Sequence, residues 1–179
     1  MASVVFFRAV NVGGHQKFQP SVLARDLAEF GVVNIGAAGT LVVREKVSSA
    51  KLRDEIFRRL PFQPELMICS AREILELGRG QLFGEPPDGK GVKQFLSVLQ
   101  KAPRATPQLP LEQPAADKWE VRVVALVGRF ALSFQRHGPK GVYPNAVVER
   151  QFDIPATTRN WNTIEAVCHI LEKPTVEPA

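Results

Sequence analysis

Val32-Val33-Asn34-Ile35-Gly36-Ala37-Ala38-Gly39-Thr40-Leu41-Val42-Val43-Arg44 is the stretch on which the fold turns. Two runs rich in β-branched residues, Val32 to Ile35 and Leu41 to Arg44, flank Gly36-Ala37-Ala38-Gly39, the pattern of two short strands meeting at a turn. Upstream, Val22, Leu23, Leu27 and Phe30 recur at helical spacing after Pro20, and Gly31 closes the run as a C-terminal cap would. Ser3 to Ala9, before that helix, is β-branched and aromatic and fits a buried strand. Downstream, Ser48 or Ser49 caps a helix with Leu52, Ile56, Phe57 and Leu60 on its apolar face, stopped by Pro61, and Glu65 to Cys69 supplies a fourth strand. Strand, helix, strand, strand, helix, strand is the ferredoxin-like split β-α-β order. It predicts an antiparallel sheet with both helices on one face.

Beyond a short helix from Ser70 to Leu77, Gly78 to Gly91 is rich in glycine and reads as a subdomain boundary. Val92 to Leu99 predicts a strand. Ala102 to Lys118 carries Pro103, Pro107, Pro110 and Pro114, which excludes a continuous helix and predicts an extended connection. Trp119 to Val127 and Phe130 to Arg136 form a hairpin about Gly128-Arg129. A helix from about Tyr143 to Phe152, a break at Pro155 and a last helix ending near Leu171 complete the chain. The fold class expected is α+β: a ferredoxin-like subdomain over 1–80, a second, smaller α+β subdomain over 91–173 that includes the C-terminal helices, and a flexible tail over 174–179.

The chain has 179 residues, with 23 Lys and Arg against 18 Asp and Glu. This basic balance favours anionic partners without deciding the fold. From Arg122 through Arg159 six basic residues face only Glu149 and Asp153, so an anion-facing surface is expected there. Cys69 and Cys168 lie far apart in apolar surroundings, which fits neither a disulfide framework nor a zinc site and points to a reducing compartment. No apolar run is long enough to span a bilayer, and a cytoplasmic location is expected. Nothing in the sequence calls for a cofactor or metal.

Two polar clusters stand out as candidate sites. Asn11-Val12-Gly13-Gly14 follows the first strand, and glycines there allow a turn whose successive N–H groups cradle an anion, with Arg8, His15 and Lys17 adding charge. Arg8 sits in an apolar strand, so it must snorkel, pair with a carboxylate or bind a ligand. The second cluster is Thr157-Thr158-Arg159-Asn160-Trp161-Asn162-Thr163, at the start of the last apolar helix. A cap accounts for one or two of these residues, Asn162 with Glu165 resembling a capping box, while Arg159 beside a helix N-terminus makes an anion site. A third polar segment, Gln135 to Tyr143, contains Arg136, His137 and Lys140. Histidine ordinarily titrates near neutrality, which makes His137 a candidate proton carrier. No catalytic triad or metal-spaced cluster can be assembled. Phe6, Phe7, Phe130 and Phe134 read as core and not as a base-stacking platform.

At these residues the chain resembles a bacterial family known as domain of unknown function 1697. Its members typically carry R-G-I-N-V-G-G after the first strand and A-T-T-R-N-W-N-T near the end. Here these are Arg8-Ala9-Val10-Asn11-Val12-Gly13-Gly14 and Ala156 through Thr163, and the likeness includes Ser70-Ala71-Arg72-Glu73 and Asn145. Ala9 stands where the family has glycine, and Ala37-Ala38-Gly39-Thr40 stands where the family has more polar side chains. The resemblance implies two α+β subdomains and no established activity. The expected function is binding of a phosphate-bearing anionic ligand, nucleic acid or nucleotide. Its contacts would be Arg8, Asn11, Gly13, Gly14, Lys17, Arg136, Lys140, Thr157, Thr158, Arg159, Asn160 and Asn162. The alternatives are an enzyme acting on a small phosphorylated or carboxylated metabolite through His137 or His15, and a structural or protein-interaction module in which both motifs lock the subdomains.

Overall fold

A computed structural model describes residues 1–10, 18–87 and 91–173. Their contacts define two compact units, Met1–Arg79 together with the chain from Thr163, and Gly80–Asn162. The sequence places both C-terminal helices in the second unit; from Thr163 the last helix groups with the first.

In the first unit β1 (Ser3–Arg8), α1 (Pro20–Asp26), β2 (Val32–Asn34), β3 (Thr40–Val43), α2 (Ser49–Arg59) and β4 (Glu65–Ser70) follow the order read from the sequence. The sheet order is β2-β3-β1-β4, with every pairing antiparallel, so β3 lies between β1 and β2 and splits the β-α-β unit. Strand alternation puts Val5 and Phe7 on one face, where they join Leu41, Val43 and Leu66 in a core with Leu23, Leu27, Leu52 and Ile56. Val4, Phe6, Val42 and Met67, on the other face, are equally buried. Strands covered on both faces explain the near-continuous apolar runs that made them readable. Gly31 adopts the left-handed conformation (φ 60°) expected of a cap, although a short 3-10 turn, Ala28–Phe30, intervenes after α1. Ser48 caps α2 by accepting from Lys51 N at 3.2 Å.

The helix α3 (Ala71–Arg79) opens with a reciprocal capping box, in which Ser70 Oγ accepts from Glu73 N at 3.2 Å and Glu73 Oε2 from Ser70 N at 2.7 Å. The closing helix α5 (Trp161–Glu172) lies against α3, and a Cβ on Gly78 would stand 2.7 Å from Cys168 Sγ. Glycine there permits the close approach of the two helices.

The second unit is a five-stranded antiparallel sheet of β5 (Lys93–Leu99), β6 (Leu111–Gln113), β7 (Val121–Val127), β8 (Phe130–Gln135) and β9 (Ala156–Asn160), in the order β6-β7-β8-β5-β9. The helix α4 (Pro144–Phe152) packs Val147 and Val148 against Leu99, Val121, Ala131 and Ala156. The β7–β8 hairpin turns at Gly128 (φ 58°) as expected. The proline-rich stretch holds no α-helix; it contributes β6, which pairs with β7 at the sheet edge, and ends in a short 3-10 turn, Ala116–Lys118. The larger departure is β9. Thr157 to Asn160, expected at a helix mouth, form an edge strand paired with β5, and the helix begins only at Trp161. Asn160 Oδ1 caps it by accepting from Asn162 N at 3.0 Å, so the cap lies two residues before the Asn162–Glu165 box that was expected.

Candidate functional site

The site grows from the open end of the β7–β8 hairpin. Pairing of Val121 with Gln135 is continued by Arg136 N donating to Glu120 O at 2.9 Å, which sets Trp119 and Glu120 opposite Arg136 and His137. The chain then crosses from His137 to Val142 as a strap that leads into α4. Glu120 is buried at 2% exposure, and its carboxylate accepts two strap N–H groups, Lys140 N on Oε1 at 2.8 Å and Val142 N on Oε2 at 2.7 Å. Gly138 fits under the carboxylate because it lacks a side chain, since a Cβ there would fall 2.4 Å from the Glu120 carboxyl carbon. Gln135 Nε2 donates to Val142 O at 2.7 Å and fastens the same end. The Val142 N–H, opposed by burial and aided by the Lys140 N–H and the charges of Lys140 and His137, holds the Glu120 carboxyl below its ordinary range.

Arg136 is equally fixed. Its Nε donates to Trp119 O and its Nη2 to Asp117 O, and its guanidinium lies 4.3 Å from the Trp119 ring centroid. Arg122, ion-paired to Glu112 at 2.7 Å, lies 4.4 Å from the same ring. Beside them opens a cavity of about 260 Å³ lined by Pro114, Lys118, Trp119, Glu120, Arg136, His137, Gly138, Pro139 and Lys140. The Lys118 and Lys140 ammonium groups make no ion pair among the described residues.

Of the residues expected at a site, Arg136, His137 and Lys140 are thus brought together. Arg8 pairs with Glu65 at 2.9 Å across β1 and β4, one of the three outcomes its position allows. Asn11, Gly13, Gly14, His15 and Lys17 lie outside the described residues. Several polar groups of β9 bond to one another and to neighbours in the second unit. Thr158 Oγ1 donates to Asn145 Oδ1 at 2.9 Å and lies 2.7 Å from Ser97 Oγ, while Thr157 Oγ1 accepts from Arg159 Nη1 at 2.8 Å. Arg159 is buried at 7% exposure and also donates to Thr158 O at 2.9 Å; burial pushes its guanidinium down to about 10, which leaves it charged at neutral pH. Alternation along β9 puts Arg159 and Thr157 on the opposite face from Thr158. Asn162 lies in the first turn of α5 and is exposed.

Sequence reasoning missed Lys118, Trp119 and Glu120. The available signal was a glutamate between tryptophan and the apolar strand Val121 to Val127, where a buried charge requires partners. Among the described residues no cluster of His, Cys, Asp or Glu is arranged for a metal ion, and no helix is long and apolar enough to cross a membrane.

Among the described residues, two antiparallel sheets with five α-helices define an α+β protein, here with a cavity at a hairpin end to whose lining Lys118, Arg136 and Lys140 belong. A family model described as a protein of unknown function, DUF1697, matches residues 1–127, and the chain belongs to that family. Among solved structures it is similar to the conserved bacterial protein SP0830 from Streptococcus pneumoniae, with a TM-score of 0.60 at 15% identity over 96% of this chain and 98% of that one. At that identity the likeness shows the fold alone. No curated protein matches the chain.

Proposed function

We propose that the cavity of the second unit binds a phosphate-bearing anionic ligand, such as a nucleotide. The observation that carries this reading is that Lys118, Arg136 and Lys140 all line one cavity in which, among the described residues, Glu120 is the single carboxylate. That carboxylate is engaged by backbone N–H groups, so it does not neutralise the lysines by direct pairing. Arg136 is held by two carbonyls and keeps its remaining guanidinium hydrogens for a ligand, while the two lysines supply mobile charge. Nucleic acid is the extended form of the same proposal, because its backbone offers the same group. The Thr157 to Asn160 segment serves in this reading as an internal brace, supported by its bonds to Ser97 and Asn145. A ferredoxin-like first unit and a cytoplasmic location belong to the same reading, supported by the strand order and by two free cysteines.

A second reading rests on His137, which lines the same cavity. An enzyme acting on a small phosphorylated or carboxylated metabolite would use it as proton carrier. The test is fluorescence anisotropy of a labelled mononucleotide and a labelled single-stranded oligonucleotide, titrated at several salt concentrations with wild type and Arg136→Gln. Salt-dependent binding that weakens in the variant supports the proposal. No binding by the wild type at low salt removes it.

A further inference from the structure

Glu120 lines the cavity, and its carboxylate is bonded to the strap that contributes His137 and Lys140 to the same lining. We infer that Glu120 is a positioning residue which, by clamping the backbone of Lys140 and Val142, holds the strap so that Lys140 and His137 face an anionic ligand. The inference rests on the proposal that the cavity binds such a ligand, but the clamp has a signature of its own. Both carboxylate oxygens are committed to strap N–H groups, at 2.8 and 2.7 Å, and the carboxylate occupies the space that any side chain at position 138 would need. The charged and titratable groups around it are Lys118 on the preceding turn, Arg136 and His137 at the end of β8, and Lys140 in the strap. A buried carboxylate that accepts from backbone amides orders a loop as an N-terminal cap orders a helix, through charge-assisted bonds of fixed direction.

This role and a purely electrostatic one predict opposite signs. A negative charge beside an anion site repels the ligand, so removing it while the strap keeps its place tightens binding. If Glu120 acts by clamping, Glu120→Gln loosens the strap, because an amide offers one oxygen and turns its NH2 toward the second N–H. The experiment measures affinity for inorganic phosphate and for a nucleoside monophosphate in wild type and Glu120→Gln, together with hydrogen exchange at the Lys140 and Val142 amides. We expect about tenfold weaker binding, the loss of roughly one charge-assisted contact, with faster exchange at those two amides. Unchanged or tighter binding with protected amides overturns the inference and leaves the cavity proposal standing. Failure of the wild type to bind either anion removes the cavity proposal, and the exchange data then judge the clamp alone. Should Glu120→Gln not fold, exchange in the wild type decides: protection of both amides at neutral pH that is lost on acidification supports the clamp, and its absence contradicts it.

Discussion

Ala9 sits in the left-handed region at φ 54°, where a Cβ crowds the following carbonyl. The family resemblance puts glycine at this position, and the conformation supplies the physical reason. Ala9→Gly relieves a strain of about 1 kcal/mol, less what glycine's greater freedom in the unfolded chain costs, and is expected to raise stability by several tenths of a kcal/mol in urea denaturation. Arg159 is the opposite case, a buried residue whose loss removes two donated hydrogen bonds. Arg159→Ala strips a donor from Thr157 Oγ1 and the Thr158 carbonyl and is expected to lower stability by about 1–3 kcal/mol, with phosphate affinity of the cavity unchanged. A substantial loss of affinity in that variant would return β9 to the list of ligand contacts. Gly138→Ala drives a methyl group into the Glu120 carboxylate and should cost about 1–3 kcal/mol by overpacking, together with weaker anion binding.

At the scale of elements, the capping box that starts α3 is testable by itself, and Ser70→Ala should destabilise the protein by about 1 kcal/mol in thermal or urea unfolding. The central strands and α2 could be read from sequence because they obey one rule each, apolar runs for strands covered on two faces and a serine before a helical stripe for α2. The β9 segment could not, since Ala-Thr-Thr-Arg-Asn has polar residues on both alternating faces and its strand state is decided by pairing with β5, a contact between segments about sixty residues apart. Asn160 then reads as an ordinary polar residue although it caps α5. Glu120 was hidden for a related reason. Its partners are backbone N–H groups of Lys140 and Val142, and no side-chain pattern records a bond to the main chain. Arg136 and Lys140 were readable as charge in a loop, but their convergence with Lys118 depends on the β7–β8 hairpin and on where the proline-rich stretch ends.

At the scale of the molecule, two carboxylates among the described residues are held below the ordinary range, Glu120 by the Val142 and Lys140 N–H groups and Glu55 chiefly by its hydrogen bond from Arg59, with Arg58 and Lys51 nearby. A carboxyl whose folded pKa lies below its unfolded value stabilises the protein fully above the unfolded value, near 4.5, and loses that contribution as pH falls through the lower folded value. Thermal unfolding should therefore show a melting temperature level around neutrality that drops as pH descends below about 4.5, and Glu120→Gln should flatten part of that drop. The two units each carry their own sheet and core, and the lining residues of the cavity all belong to the second. The most direct test is a titration of inorganic phosphate and a nucleoside monophosphate at low salt, followed through backbone amide chemical shifts. The proposal predicts saturable shifts centred on Lys118, Arg136, His137 and Lys140 that disappear in Arg136→Gln. Shifts that leave these residues unmoved, or that gather instead along Thr157 to Asn160, would contradict it.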